Sequence, residues 1–125
     1  MTGARHCRKG AIIEREIGGR SPHQKGDRAE RALVRYLQSA GFAAERVPCS
    51  GSAGGSYCGD VSVPLLGTNR RIEVKVRANG FSELYRWLIE RDFLVVRADR
   101  REPLVIVPLR LATEIAAAAE KLRRM

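Results

Sequence analysis

The most regular pattern in the chain is an alternation of charged and apolar residues over positions 71–77, which read RIEVKVR. A period of two residues predicts a strand, because successive side chains of a strand point to opposite faces of the sheet. The three apolar residues therefore share one face, and the four charged residues share the other. Asp60 stands at the start of the preceding apolar segment. The pattern raises the question whether Asp60 meets Glu73 and Lys75 on the polar face.

Apolar residues spaced three or four positions apart predict three helices, over residues 26–40, 81–90 and 109–124. In the first helix the apolar stripe lies opposite a row of arginines, and Gly41 follows as a helix-ending residue. Shorter apolar runs predict five strands, over residues 43–48, 60–65, 70–77, 93–97 and 104–107. The order α-β-β-β-α-β-β-α predicts a layered α/β or α+β domain.

The composition of the chain changes near residue 25. Residues 1–24 are basic and are interrupted by glycine and proline, so we expect a partly mobile N-terminal extension. Residues 25–125 are expected to form a single domain, since a chain of 125 residues is long enough for one hydrophobic core. The spacing Lys-Gly-x-x-x-Glu occurs twice, ending at Glu14 and at Glu30. Glu30 lies on the predicted 26–40 helix, whereas Glu14 precedes a glycine pair.

The charge of the chain bears on its partners. The net charge is +9, with 23 basic and 14 acidic residues. Arginine supplies 19 of the basic side chains, and its guanidinium is the better bidentate donor to phosphate. We interpret the basic excess as a surface for nucleic acid. A general preference for arginine over lysine in the composition explains part of the arginine excess without any ligand.

Membrane and secretory features are not expected from this sequence. No apolar run approaches the length of a membrane span, and no signal peptide opens the chain. The three cysteines have no metal-binding spacing, so we expect reduced thiols in a cytoplasmic protein.

Glu30 is a candidate site residue because it falls inside the edge of the apolar stripe on the predicted helix. A charge at a buried edge is costly unless it has an ionic partner or a metal ion. Two interpretations stay open for Glu30, a metal ligand and a salt bridge to an arginine at the edge of the core.

Asp60, Glu73 and Lys75 are the other candidates. If their two strands pair as a hairpin, Asp60 lies beside Glu73, and two converging carboxylates suit Mg²⁺ or Mn²⁺. Without a cation the two carboxylates would repel each other. A lysine beside the metal can position a water molecule for attack on a phosphodiester. The alternative is a solvated strand face with a cross-strand salt bridge.

The combination of a helix glutamate, a Gly-Asp at a strand start and a Glu-x-Lys resembles the PD-(D/E)xK nuclease superfamily. More narrowly, residues 25–77 resemble the archaeal-type Holliday-junction resolvases and their bacterial and phage relatives. The resemblance rests on KGDRAERALVRYLQSAGFAAERVPCSGSAGGSYCGDVSV, followed by RIEVKVRA. It implies a restriction-endonuclease-like core, in which helices flank a mixed central sheet of about five strands.

The resemblance also implies roles for these residues in a DNA endonuclease. Glu30, Asp60 and Glu73 would hold Mg²⁺, with Mn²⁺ as a substitute. The backbone carbonyl of Val74 would complete the metal shell, and Lys75 would assist the attacking water.

Further roles follow from the same resemblance. Ser50 is the first choice for the family's active-site serine, Ser52 is the second, and Glu14 is the alternative to Glu30. The residues expected to contact DNA are Lys25, Arg28, Arg46, Ser52, Arg77, Arg8 and Lys9. For Arg8, Lys9 and Lys25, in or beside the basic extension, this expectation rests on charge, and a solvated tail stays open as the alternative. The substrate would be a four-way DNA junction, cut by a homodimer. For Trp87 both a dimer contact and packing within the chain stay open.

Two other functions compete with junction resolution. One is a nuclease of the same superfamily that acts on other branched, nicked or duplex DNA. The other is a DNA-binding module without catalysis, which the set of Asp60, Glu73 and Lys75 disfavours.

Overall fold

The computed structural model describes residues 22–48 and 57–125 of the chain. The chain divides between Val76 and Arg77 into two compact units. Its described residues form, in order, a helix, three strands, a helix, two strands and a helix. No helix within these ranges is long and apolar enough to cross a membrane.

In the first unit, the described residues form a helix packed on a three-stranded antiparallel sheet. The elements are α1 (Pro22–Ser39), β1 (Glu45–Pro48), β2 (Tyr57–Leu65) and β3 (Thr68–Glu73). The strand order is β1-β2-β3, so β2 is the central strand. Both candidate carboxylates of the predicted hairpin, Asp60 and Glu73, therefore lie in this unit.

The predicted first helix is confirmed, although α1 begins four residues earlier, at Pro22, than the predicted start at 26. The helix ends at Ser39, and Gly41 terminates it as predicted, with a φ of +94° that lies in the region that favours glycine. The Gly41 N–H donates to the Gln38 carbonyl at 3.0 Å, and the Phe42 N–H donates to the Leu37 carbonyl at 3.0 Å. These two bonds form a Schellman motif, which satisfies the last carbonyls of the helix.

A two-residue turn, Leu66-Gly67, joins β2 to β3. Both residues have positive φ, 53° and 79°, as the tight turns of β-hairpins require. The register that follows pairs Leu65 with Thr68 and continues without interruption to Asp60 and Glu73. The predicted hairpin between these two segments is confirmed, but β3 covers Thr68–Glu73 instead of the predicted 70–77, so Lys75 lies two residues beyond the end of the strand.

The hydrophobic core of the first unit lies between α1 and one face of the sheet. Leu37 of α1, Val61 and Val63 of β2, and Ala44 are buried, and Val61 is 0% exposed. Apolar neighbours pack around these four residues, namely Leu33, Val34, Phe42, Ile72 and Val74. Since neighbours along a strand face opposite ways, the residues between the core positions of β2 and β3 line the other face of the sheet.

The second unit contains α2 (Ser82–Trp87), β4 (Leu94–Val96), β5 (Leu104–Ile106) and α3 (Leu109–Arg123). The predicted helix over 81–90 is confirmed only as far as Trp87. Residues 88–90 form a turn, in which Glu90 has a φ of +59°, outside the helical region.

The arrangement of the strands differs from the predicted single mixed sheet of about five strands. The five strands form two antiparallel sheets, one of β1, β2 and β3 and one of β4 and β5. Short connections explain this pairing, because closing a short loop costs less chain entropy than closing a long one. Parallel strands would need a long crossover connection. The sequence pattern does not show whether a strand pairs with its neighbour in the chain or with a distant strand.

Candidate functional site

The β2–β3 hairpin pairs Asp60 directly with Glu73. Residues directly opposite each other on antiparallel strands share a face, so both carboxylates lie on the face turned away from α1. Lys75 follows Glu73 by two residues, and the alternation of exposed and half-buried positions continues through it. The polar face of the hairpin thus carries two carboxylates and an ammonium group.

Each of the two carboxylates is paired with a cation from the β3 side of the hairpin. The Lys75 Nζ lies 2.8 Å from Glu73 Oε1, and the Arg71 Nη2 lies 3.1 Å from Asp60 Oδ2. The Asp60 side chain is 29% exposed, whereas those of Glu73, Lys75 and Arg71 are more than half exposed. The arrangement is an open, charge-balanced patch that solvent ions and a polyanion can reach.

Lys75 keeps Glu73 ionised. Its hydrogen bond to the Glu73 carboxylate, reinforced by its positive charge, lowers the pKa of Glu73 below the ordinary value for glutamate. A carboxylate must be deprotonated to bind a metal ion. The structure therefore favours the ligating form of Glu73 over a wider range of pH.

A second ionic cluster lies on the helix side of the same sheet. Arg46 of β1 pairs in register with Val61, so it faces α1. Its Nη2 donates to Glu30 Oε1 at 2.9 Å and to Asp27 Oδ1 at 2.6 Å, and its Nε donates to Glu30 Oε1 at 3.2 Å. Glu30 is 5% exposed. Of the two interpretations of Glu30, the salt bridge to an arginine at the core edge is the one observed.

The contacts within this cluster also act on Arg46. Burial works to lower the pKa of the guanidinium, but the hydrogen bonds to Glu30 and Asp27 and their negative charges outweigh it, so the pKa of Arg46 is raised. A guanidinium that makes three hydrogen bonds to two carboxylates is held in one orientation. Arg46, expected to contact DNA, is occupied by these two carboxylates.

The three expected metal ligands are distributed over these two places. Among the residues at 22–48 and 57–125, no group of three or more His, Cys, Asp or Glu side chains lies close enough to hold a metal ion. Glu30 is engaged by Arg46, while Asp60 and Glu73 form a pair on the other face. Two carboxylates on adjacent strands are hard oxygen donors, and they fit Mg²⁺ or Mn²⁺ as part of a coordination shell completed by water.

The remaining expected site residues are spread over the chain. Ser50, Ser52, Arg8, Lys9 and Glu14 lie outside the described residues. Lys25 and Arg28 are half-buried on α1, and Arg77, which is exposed, opens the second unit. Trp87 ends α2 and is 51% exposed. Two further residues join the site, Asp27 beside Glu30 and Arg71 beside Asp60.

Both of these additions follow rules of spacing. Asp27 precedes Glu30 by three residues, which is the separation of neighbours on one helix face. Arg71 precedes Glu73 by two residues, so it shares the polar face of β3. The helix periodicity and the strand alternation contained these signals, but neither identifies which cation meets which carboxylate.

A scan of protein-family models matches the model described as archaeal Holliday junction resolvase (Hjc) over residues 21–91. The match covers more than half of the chain, including α1, the three-stranded sheet and both ionic clusters. The chain belongs to the Hjc family. Hjc membership confirms the resemblance seen in the sequence and implies, at the level of the family, a nuclease that acts on Holliday junctions in DNA recombination and repair. Searches of curated proteins and of solved structures found no match.

The Lys75–Glu73 contact predicts how the Hjc hairpin site titrates. In an NMR titration of the Glu73 side-chain carboxyl, the midpoint is expected below the ordinary value for glutamate, and Lys75→Met should raise it. Lys121→Met, which removes an equal charge from an exposed position of α3, should leave the midpoint unchanged. Because the folded pKa is the lower one, this contribution to stability is present above the unfolded pKa and disappears as pH falls through the folded pKa. Equal midpoints in wild type and Lys75→Met would contradict the contact.

The buried Arg46 cluster predicts a large loss of stability when its cation is removed. Arg46→Met leaves Glu30 buried without its donor, so the free energy of unfolding is expected to fall by about 3 kcal/mol in urea denaturation. Arg35→Met, on the exposed side of α1, should change it by less than about 0.5 kcal/mol. In double-mutant cycles, Arg46 should couple more strongly to Glu30, whose side chain is 7% exposed, than to Asp27, at 36%. A small effect of Arg46→Met would show that solvent reaches Glu30.

Proposed function

We propose that this chain is a divalent-metal-dependent endonuclease that hydrolyses phosphodiester bonds in four-way DNA junctions. The observation that carries the proposal is the direct pairing of Asp60 with Glu73, with Lys75 on the same face, in a chain of the Hjc family. Mg²⁺ is the proposed metal, and Mn²⁺ the substitute.

Asp60 and Glu73 are the proposed first ligands, since both are ionisable oxygen donors on one accessible face. The backbone carbonyl of Val74 is the proposed third donor. When bound, the divalent ion supplies positive charge that polarises the phosphate and favours hydroxide over water. Glu30 is the remaining proposed ligand on the strength of the family resemblance. It is paired with Arg46 on the helix side of the sheet, so it would have to leave Arg46 and reach the face that carries Asp60 and Glu73. Asp60 and Glu73 therefore carry the first test.

Lys75 is the proposed catalytic lysine. Its ammonium group is 2.8 Å from Glu73 and 54% exposed, so its remaining donors are open to a water molecule or a phosphate oxygen. In this position it orients the attacking water and offsets the negative charge that develops on the phosphate in the transition state. Ser50, or Ser52 as the second choice, is proposed to bind the same phosphate.

The residues proposed to contact DNA are the basic side chains Lys25, Arg28, Arg77, Arg8 and Lys9, together with Ser52. Arg46 can contact DNA only if it is released from Glu30 and Asp27. Resolution of a junction needs paired nicks on opposed strands, which a two-fold homodimer with two sites supplies. Trp87, half exposed at the end of α2, is the proposed dimer contact. Residues 25–125 are proposed to form one nuclease domain of a cytoplasmic protein.

The test is cleavage of a labelled four-way junction and a matched linear duplex, with Mg²⁺ and with chelator. Paired nicks in the junction that need Mg²⁺ are expected. Lys75→Ala should reduce the rate by at least about 100-fold, the usual contribution of one preorganised donor that stabilises charge in the transition state. Lys121→Ala removes the same charge from an exposed site of α3 and should cut at the wild-type rate.

Each other outcome selects a different function. Equal nicking of both substrates would retain the nuclease and reject the junction as its substrate. Tight junction binding without cleavage under any divalent metal would identify a DNA-binding module. Full activity of Lys75→Ala would reject the assigned catalytic lysine.

A further inference from the structure

The ion pair between Arg71 and Asp60 has no part in the mechanism proposed above. Lys75 neutralises the charge of Glu73 and is the proposed catalytic lysine, so the mechanism explains its position beside the carboxylates. Arg71 places a second cation on the same face, against the other proposed metal ligand. A guanidinium beside a cation site repels the cation that the site is expected to bind.

The position of Arg71 in the hairpin makes this contact a diagonal one. In register Arg71 faces Ser62, while Glu73 faces Asp60. The guanidinium therefore reaches along the sheet toward the next pair to place its Nη2 3.1 Å from Asp60 Oδ2. It comes to lie against the carboxylate of one of the two proposed metal ligands.

The contact is one that a divalent ion can replace. The Arg71 side chain is 58% exposed and that of Asp60 is 29% exposed. Ion pairs with such access to water are weak, since solvent screens them and a long side chain must be held still. A divalent cation that binds Asp60 Oδ2 would have to displace the guanidinium, and one that binds the other oxygen of Asp60 would still lie beside its positive charge.

We propose that Arg71 is the resident counter-ion of Asp60, and that a divalent cation competes with it for this carboxylate. Arg71 is thus a positioning residue that holds Asp60 on the polar face and raises the metal concentration at which the site fills. The inference rests on the proposed function, because it takes Asp60 and Glu73 as metal ligands.

The test is Mn²⁺ binding to the metal-free protein in the absence of DNA, measured by calorimetry and by the paramagnetic resonance of free Mn²⁺. Arg71→Gln removes the competing charge and is expected to tighten Mn²⁺ binding roughly two- to fivefold, the range set by the strength of exposed ion pairs. Arg71→Lys keeps a competing cation and should bind Mn²⁺ with nearly the wild-type dissociation constant.

Arg70→Gln is the matched control. Arg70 precedes Arg71 directly, faces Val63 in register and donates from its Nε to the Leu65 carbonyl at 3.1 Å. Arg70→Gln removes one positive charge, as Arg71→Gln does, but from the other face of β3. Tightening by Arg71→Gln but not by Arg70→Gln would support the inference, and equal behaviour of the two variants would overturn it.

Asp60→Asn and Glu73→Gln separate this inference from the proposed function. If Mn²⁺ binding depends on both carboxylates while Arg71→Gln behaves like Arg70→Gln, only the role of Arg71 is rejected. If neither carboxylate affects Mn²⁺ binding, the metal site and the role of Arg71 are rejected together.

Discussion

The register of the β2–β3 hairpin is the constraint on which the rest of the first unit depends. The two-residue turn Leu66-Gly67 fixes this register, and the burial of Val61 on the helix side enforces it. A slip of one residue would turn Val61 to solvent and would separate Asp60 from Glu73. The same apolar contacts that stabilise the sheet therefore assemble the candidate site on its opposite face.

The two faces of this sheet use charge in different ways. On the helix side, Arg46 is held by Glu30 and Asp27 among largely buried groups, where removal of one partner leaves a costly unpaired charge. On the polar face, Arg71 and Lys75 meet Asp60 and Glu73 in contact with water, where ion pairs exchange readily. The first cluster suits a structural role, and the second suits a site whose partners change during a reaction.

Much of this organisation could be predicted from the sequence. The apolar stripe of α1, its end at Gly41 and the alternation before Arg77 depend on local periodicity, which a sequence displays directly. The choice between interpretations of Glu30 depended on whether a strand brought an arginine to it. That contact joins residues 16 positions apart, and no local pattern reports it.

The strand pairing was less predictable for the same reason. Five strand segments were visible, but their division into two antiparallel sheets depends on which partners close with the least loss of chain entropy. Helical periodicity over 81–90 reveals neither the end of α2 at Trp87 nor the left-handed conformation of Glu90. Local periodicity also does not single out Asp27 or Arg71, because their importance comes from a partner on another element.

The carboxylates paired by the hairpin are proposed above as the metal centre of an Hjc-family nuclease. The decisive measurement is single-turnover cleavage of a four-way junction in Mg²⁺ by Asp60→Asn, with Asp99→Asn at an exposed position as the control. Asp60→Asn is expected to bind the junction without cutting it, while Asp99→Asn is expected to cut at the wild-type rate. Cleavage by Asp60→Asn at the wild-type rate would rule out this metal centre.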